Sequence, residues 1–100
     1  MIKSLGNKVA QDIWEMNFSK NLPRNLHVRA KALLQIMNAT TDIGDLKIKG
    51  QPPNIRLHKL KGDLKNYWSL TLSNVSPWRI IFRYKNGEFE DIKIVDYHEG

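Results

Sequence analysis

The chain contains no cysteine, which excludes a disulfide framework, a thiolate zinc site and a cysteine nucleophile. It has no apolar run of about 18 residues, so no membrane span or membrane partner is expected. Met1-Ile2-Lys3-Ser4-Leu5 lacks the apolar stretch of a secretory leader, and the expected location is the cytoplasm. No internal repeat, low-complexity tract or linker is visible. One domain over residues 1–100 is the expectation, because 100 residues are too few for two cores. Histidines occur only at 27, 58 and 98, without a local ligand pair, so neither a metal nor another cofactor is expected. Acidic residues are also scarce. Ten Asp and Glu face sixteen Lys and Arg, a net charge of +6 that favours a polyanion such as RNA, or equally an acidic protein.

What is present divides into a helical half and a β half. Val9, Ile13 and Trp14, flanked by Ala10 and Asn17, have the spacing of a short amphipathic helix. Pro23 suits the first turn of a second helix. There Leu26, Ala30, Leu33, Leu34 and Met37 form one apolar stripe, ending at Asn38–Thr41. Thr41-Asp42 is placed to cap a further single turn, and Gln51-Pro52-Pro53-Asn54 reads as loop. The period then changes to two. Ile55 and Leu57 alternate with Arg56 and His58; Trp68, Leu70 and Leu72 with Tyr67, Ser69 and Thr71; Trp78, Ile80, Phe82 and Tyr84 with Arg79, Ile81 and Arg83. Asn86-Gly87 marks a type I′ hairpin before Ile92 and Ile94. The pattern predicts an α+β fold: two N-terminal helices packed on one face of a small, twisted, largely antiparallel sheet. Ile2-Lys3-Ser4 is a candidate for a further strand.

If the apolar face meets the helices, His58, Arg79, Arg83, Lys93 and Tyr97 share the other face, an open polar surface with Asp96 and His98 at its rim. Lys61 follows His58 closely. Two imidazoles, a phenol, a carboxylate, a lysine and an arginine provide acid, base and fixed cations. That is the set needed to cleave a phosphodiester without metal. Lys59, Lys65, Arg83 and Lys93 are candidate RNA-backbone contacts, and Tyr67 is a candidate base-stacking ring. Trp14, Trp68 and Trp78 read as core, and His27 as structural or solvated.

The run Leu57-His58-Lys59-Leu60-Lys61-Gly62-Asp63, with Tyr67-Trp68-Ser69-Leu70, Trp78-Arg79-Ile80-Ile81-Phe82 and Asp96-Tyr97-His98, resembles HigB-type toxins of the RelE/ParE superfamily. The resemblance covers nearly the whole chain. It implies a RelE-like fold and a toxin that cuts messenger RNA in the ribosomal A site. It further implies a helix-turn-helix, HigA-like antitoxin as partner, with DNA engaged only through that antitoxin. It places activity on His58, Lys61, Arg79, Asp96, Tyr97 and His98. Two departures stand out. Ser73–Pro77 is longer than the usual turn, and Glu99-Gly100 follow the terminal histidine. A carboxylate beside His98 favours its protonated form and hence an acid role.

Which histidine is base and which acid is left open by the spacing. Two other functions fit the same composition: a ParE-like protein that inhibits DNA gyrase without cutting RNA, and a basic module that only docks RNA or a partner. The gyrase inhibitor does not need His58, Lys61 and His98 together.

Overall fold

The computed structural model describes residues 1–46, 57–72 and 77–96. Helix α1 spans Lys8–Trp14 and helix α2 His27–Asn38. Strands β1 (His58–Lys59), β2 (Trp68–Thr71), β3 (Trp78–Lys85) and β4 (Glu88–Asp96) form one sheet in the order β1-β2-β3-β4, every neighbour antiparallel. The expected α+β layering is what the chain adopts. No described helix is long and apolar enough to cross a membrane.

Asn7 starts α1 and anchors it at once. Its Oδ1 accepts from Ala10 N at 3.0 Å, the bond of an N-cap. The same oxygen accepts from Ile94 N at 3.3 Å, and Nδ2 donates to Ile94 O at 3.0 Å. One side chain therefore caps a helix and pairs with β4. Val9, Ala10 and Ile13 are buried as their spacing requires, and Trp14 packs half-buried against the core. Asn17 lies beyond the helix, which ends where Met16 turns to φ 64°.

Pro23 precedes a 3₁₀ turn at Arg24–Leu26 that runs directly into α2. Every residue of the expected stripe is buried: Leu26, Ala30, Leu33, Leu34 and Met37. Asp42 caps the following turn, Ile43–Asp45, through a bond from Gly44 N of 2.9 Å. His27 is structural. Its Nε2 lies 3.0 Å from the carbonyl oxygens of Ser19 and Leu22; carbonyls only accept, so Nε2 carries the proton.

The core lies between the helices and the inner face of the sheet, where Leu70, Leu72, Ile80, Phe82, Phe89, Ile92 and Ile94 meet the helical stripe. Phe82 and Phe89 pack edge to face at 5.2 Å. Trp68 and Trp78 are half-buried against this cluster. The hairpin forms as expected, with Asn86 at φ 53° and Gly87 at φ 81°, the pair of positive values a type I′ turn demands. Ile2 and Leu5 make isolated parallel bridges to Phe89 and Ile92, so the first residues extend the sheet beside β4 without forming a full strand.

Two features depart from simple alternation. Phe89 and Ile92 are both core residues although they are three apart. Between them β4 carries one extra residue, and the register shifts between the pairs Ile81↔Lys93 and Arg83↔Glu90. Asp91 occupies the bulge at φ 52°. The second departure is the outer face, which is not open throughout. Leu60, Ser69, Thr71 and Ile81 are buried there, outside the main core. Ile55, Arg56, the Gln51–Asn54 loop and the Ser73–Ser76 stretch lie outside the described residues.

Candidate active site

The outer face is organised in rows across the strands. His58 pairs with Ser69, Ser69 with Ile81, and Ile81 with Lys93. The adjacent row runs Thr71, Arg79, Val95. His58 and Arg79 thus share a face, as alternation predicts, on opposite sides of the buried pair Ser69 and Thr71. Neighbouring strands lie about 4.8 Å apart, so two spacings across and two residues along separate them by roughly 12 Å at the backbone. Long side chains converging on one phosphate can span that distance. His58 is exposed and Arg79 half-buried. Arg79 Nη1 donates to Trp78 O at 2.9 Å, which holds one edge of its planar fork.

Lys61 is exposed in the extended residue before a 3₁₀ turn at Gly62–Leu64. Gly62 makes the turn possible, since its φ of 68° is costly for a residue with a Cβ. Lys65 is exposed just past that turn. Lys59 faces the other way. It alternates with His58, and its Nζ lies 5.4 Å from the Trp68 ring on the helical side. Asp96 ends β4 opposite Trp78, exposed, at the rim where the sequence places it. Tyr97 and His98 lie outside the described residues.

Tyr67, Arg83 and Lys93 form a second group on the outer face. The Tyr67 hydroxyl donates to Asp91 Oδ2, and Lys93 Nζ lies 3.7 Å from that same oxygen. Arg83 and Lys93 approach the Tyr67 ring at 5.9 and 5.5 Å from its centroid. The bond to Asp91, with burial next, raises the Tyr67 pKa above its usual value near 10. Sequence reasoning missed Asp91. Its signal was the broken alternation of Phe89-Glu90-Asp91-Ile92, where two polar residues separate two core positions.

Sequence reasoning also passed over Arg29, whose Nε donates to Leu72 O and ties α2 to the end of β2. Among the described residues, no three His, Asp or Glu side chains converge to hold a metal. A groove of about 380 Å³ opens between the helices, lined by Ile13, Met16, His27, Val28, Lys31 and Gln35 among others. It contains none of the candidate site residues and lies on the helical layer, away from the polar face.

Two helices covering one face of a four-stranded antiparallel sheet, with histidine and basic groups across the other, make an α+β fold consistent with RelE-like toxins. Residues 3–98 match the family model described as the RelE-like toxin of type II toxin-antitoxin system HigB, and the chain belongs to that family. A toxin of such a system implies an antitoxin as its partner. The chain is also similar to Endoribonuclease HigB of Proteus vulgaris. The two are 34% identical over 98 residues, covering 98% of this chain and all of that protein.

Proposed function

We propose that this toxin is a metal-independent endoribonuclease that cleaves messenger RNA in the ribosomal A site and so inhibits translation. Support comes from the family and its endoribonuclease relative. The observation that carries the chemistry is the placement of His58 and Arg79 on one face in adjacent rows, with Lys61 beside the first strand and Asp96 at the rim.

RNA brings its own nucleophile, the 2′-hydroxyl. The 2′-oxygen attacks phosphorus, the bond to the 5′-oxygen breaks, and the products are a 2′,3′-cyclic phosphate and a 5′-hydroxyl. One histidine of the pair His58 and His98 takes the 2′ proton and the other supplies a proton to the leaving oxygen. Each such transfer is worth on the order of 10²–10⁴-fold. Arg79 holds two phosphate oxygens with its fork and Lys61 adds a point charge as the phosphorane develops. Asp96 orients or tunes a histidine, and Tyr97 stacks on a base or supports the phosphate. The whole chain acts as one domain in the cytoplasm, restrained by a helix-turn-helix antitoxin of the HigA type.

Primer extension on a reporter mRNA in a purified translation system tests this reading, comparing wild type with His98→Ala and with a ribosome-free control. In-frame cuts that need ribosomes and vanish in the variant are expected. Intact mRNA from folded wild-type protein would sink the nuclease and favour a gyrase-type or docking function.

A further inference from the structure

We propose that Tyr67, Arg83 and Lys93 form a phosphate-binding subsite on the outer face, and that the Tyr67 hydroxyl keeps it open by occupying the Asp91 oxygen that would otherwise capture Lys93. The inference rests on the RNA-cleaving reading above and adds to it a second contact for the substrate backbone, with Arg83 two strands and Lys93 three strands away from His58.

Arg83 on β3 and Lys93 on β4 are neighbours on the outer face and lie within about 6 Å of one tyrosine ring. Their acidic partners hold them loosely. Arg83 Nε is 4.0 Å from Glu90 Oε1, Lys93 Nζ is 3.7 Å from Asp91 Oδ2, and Lys3 shares Glu90 at 3.7 Å. These separations exceed hydrogen-bonding distance, and half-exposed pairs of this kind contribute little. An incoming phosphate, with oxygens that accept from both cations at once, displaces them readily. Three cations against two carboxylates leave the cluster positive.

Asp91 is the group able to close the site. It lies in the bulge, its N–H donates to Ser4 Oγ at 2.8 Å, and its carboxylate abuts Gly6, where a Cβ would come within 2.2 Å of Oδ1. Gly6, by lacking a Cβ, leaves room for the carboxylate at this position. Tyr67 and Lys93 compete for the same Oδ2, and the tyrosine holds the hydrogen bond while the lysine stands off. Without the hydroxyl, Lys93 would close on Asp91 and its charge would be withdrawn from the face. Tyr67 and Asp91 are thus positioning residues for Lys93.

The test measures binding of a fluorophore-labelled single-stranded RNA whose 2′-hydroxyls are methylated, so that affinity is read without cleavage. Tyr67→Phe keeps the ring and removes the hydroxyl. It is expected to weaken binding about fivefold, the scale of one partly exposed charge contact. It should also flatten the slope of log K against log salt by about 0.7, one phosphate on a single strand. Asp91→Asn keeps a side chain tolerant of positive φ and removes the charge that draws Lys93. Combined with Tyr67→Phe, it should restore both affinity and slope to the wild-type level.

Weak binding by Tyr67→Phe that Asp91→Asn fails to restore would overturn the inference and make the Tyr67 hydroxyl a direct contact to the RNA. Unchanged binding by Tyr67→Phe, or no binding by wild type, would overturn it as well. If the variants behave as expected while wild type leaves ribosome-bound mRNA intact, the subsite stands and the nuclease reading falls.

Discussion

Arg79 illustrates what a single side chain contributes on this face. Its fork is held at one edge by Trp78 O, leaving the planar group aimed rather than freely rotating. Replacement by lysine keeps the charge and loses the bidentate geometry. Arg79→Lys is expected to lower kcat roughly tenfold or more, with a smaller change in KM, in ribosome-dependent cleavage assays. An equal loss in KM alone would show that the charge only binds. Tyr67 makes a different prediction, about pH. Its pKa is raised in the folded protein by the bond to Asp91, so the neutral phenol stabilises the fold below the ordinary tyrosine pKa of about 10. That contribution fades as pH rises through the higher folded value. Denaturant titrations from pH 9 to 11 should therefore show wild type losing stability faster than Tyr67→Phe; parallel curves would remove this coupling.

At the scale of elements, β4 and the first residues of the chain act as one unit. Lys3 N donates to Phe89 O at 2.7 Å, Ile92 N to Ser4 O at 3.2 Å and Gly6 N to Ile92 O at 2.6 Å, so the N-terminal segment splints the bulge. The splint passes close enough that Gly6 has no room for a methyl group, which would meet Asp91 Oδ1 at 2.2 Å and Lys93 Cγ at 2.9 Å. Gly6→Ala should cost about 1–3 kcal/mol in chemical denaturation, the range for overpacking. Asn7→Ala removes a helix cap and both bonds to Ile94, and should cost about 1–2 kcal/mol. The bulge also decides which way the end of β4 faces. Glu90 lies on the outer face opposite Arg83, and one extra residue returns Ile92 and Ile94 to the core while keeping Lys93 outward. A strict alternation from Glu90 would have sent Lys93 into the helices.

For the whole molecule, the net charge of +6 sets how the toxin meets its substrate. Because phosphate neutralisation supplies much of the binding, affinity for RNA should fall steeply between 50 and 200 mM salt. Cleavage itself should proceed fully in EDTA once ribosome integrity is controlled for, since the proposed chemistry draws on side chains alone; dependence on added divalent ion in that setting would refute it. The two layers also separate tasks. The helices spend their apolar stripe on the core, and the sheet presents histidine and basic groups on the far side.

Much of this architecture was legible in the amino-acid order, because periodicity is a local property. The stripe from Leu26 to Met37, the alternation through β3 and the Asn86-Gly87 turn each depend on neighbours a few positions apart, and each appears as read. The shared face of His58 and Arg79 followed from the same alternation. What escaped reading depends on residues far apart in the chain. Asn7 capping a helix while bonding Ile94, Gly6 making room for Asp91, and Tyr67 contesting one oxygen with Lys93 join positions 24 to 87 residues apart, or a bulge with its own neighbour. Lys59 shows the limit for a single side chain: charge marked it as a candidate RNA contact, and only the fold shows that it is exposed with its ammonium near the Trp68 ring. Sequence by itself determined the layers, the family and the residue types available for chemistry. Only the tertiary structure decided which carboxylates meet which cations, because an ion pair or a bulge is settled by packing across strands.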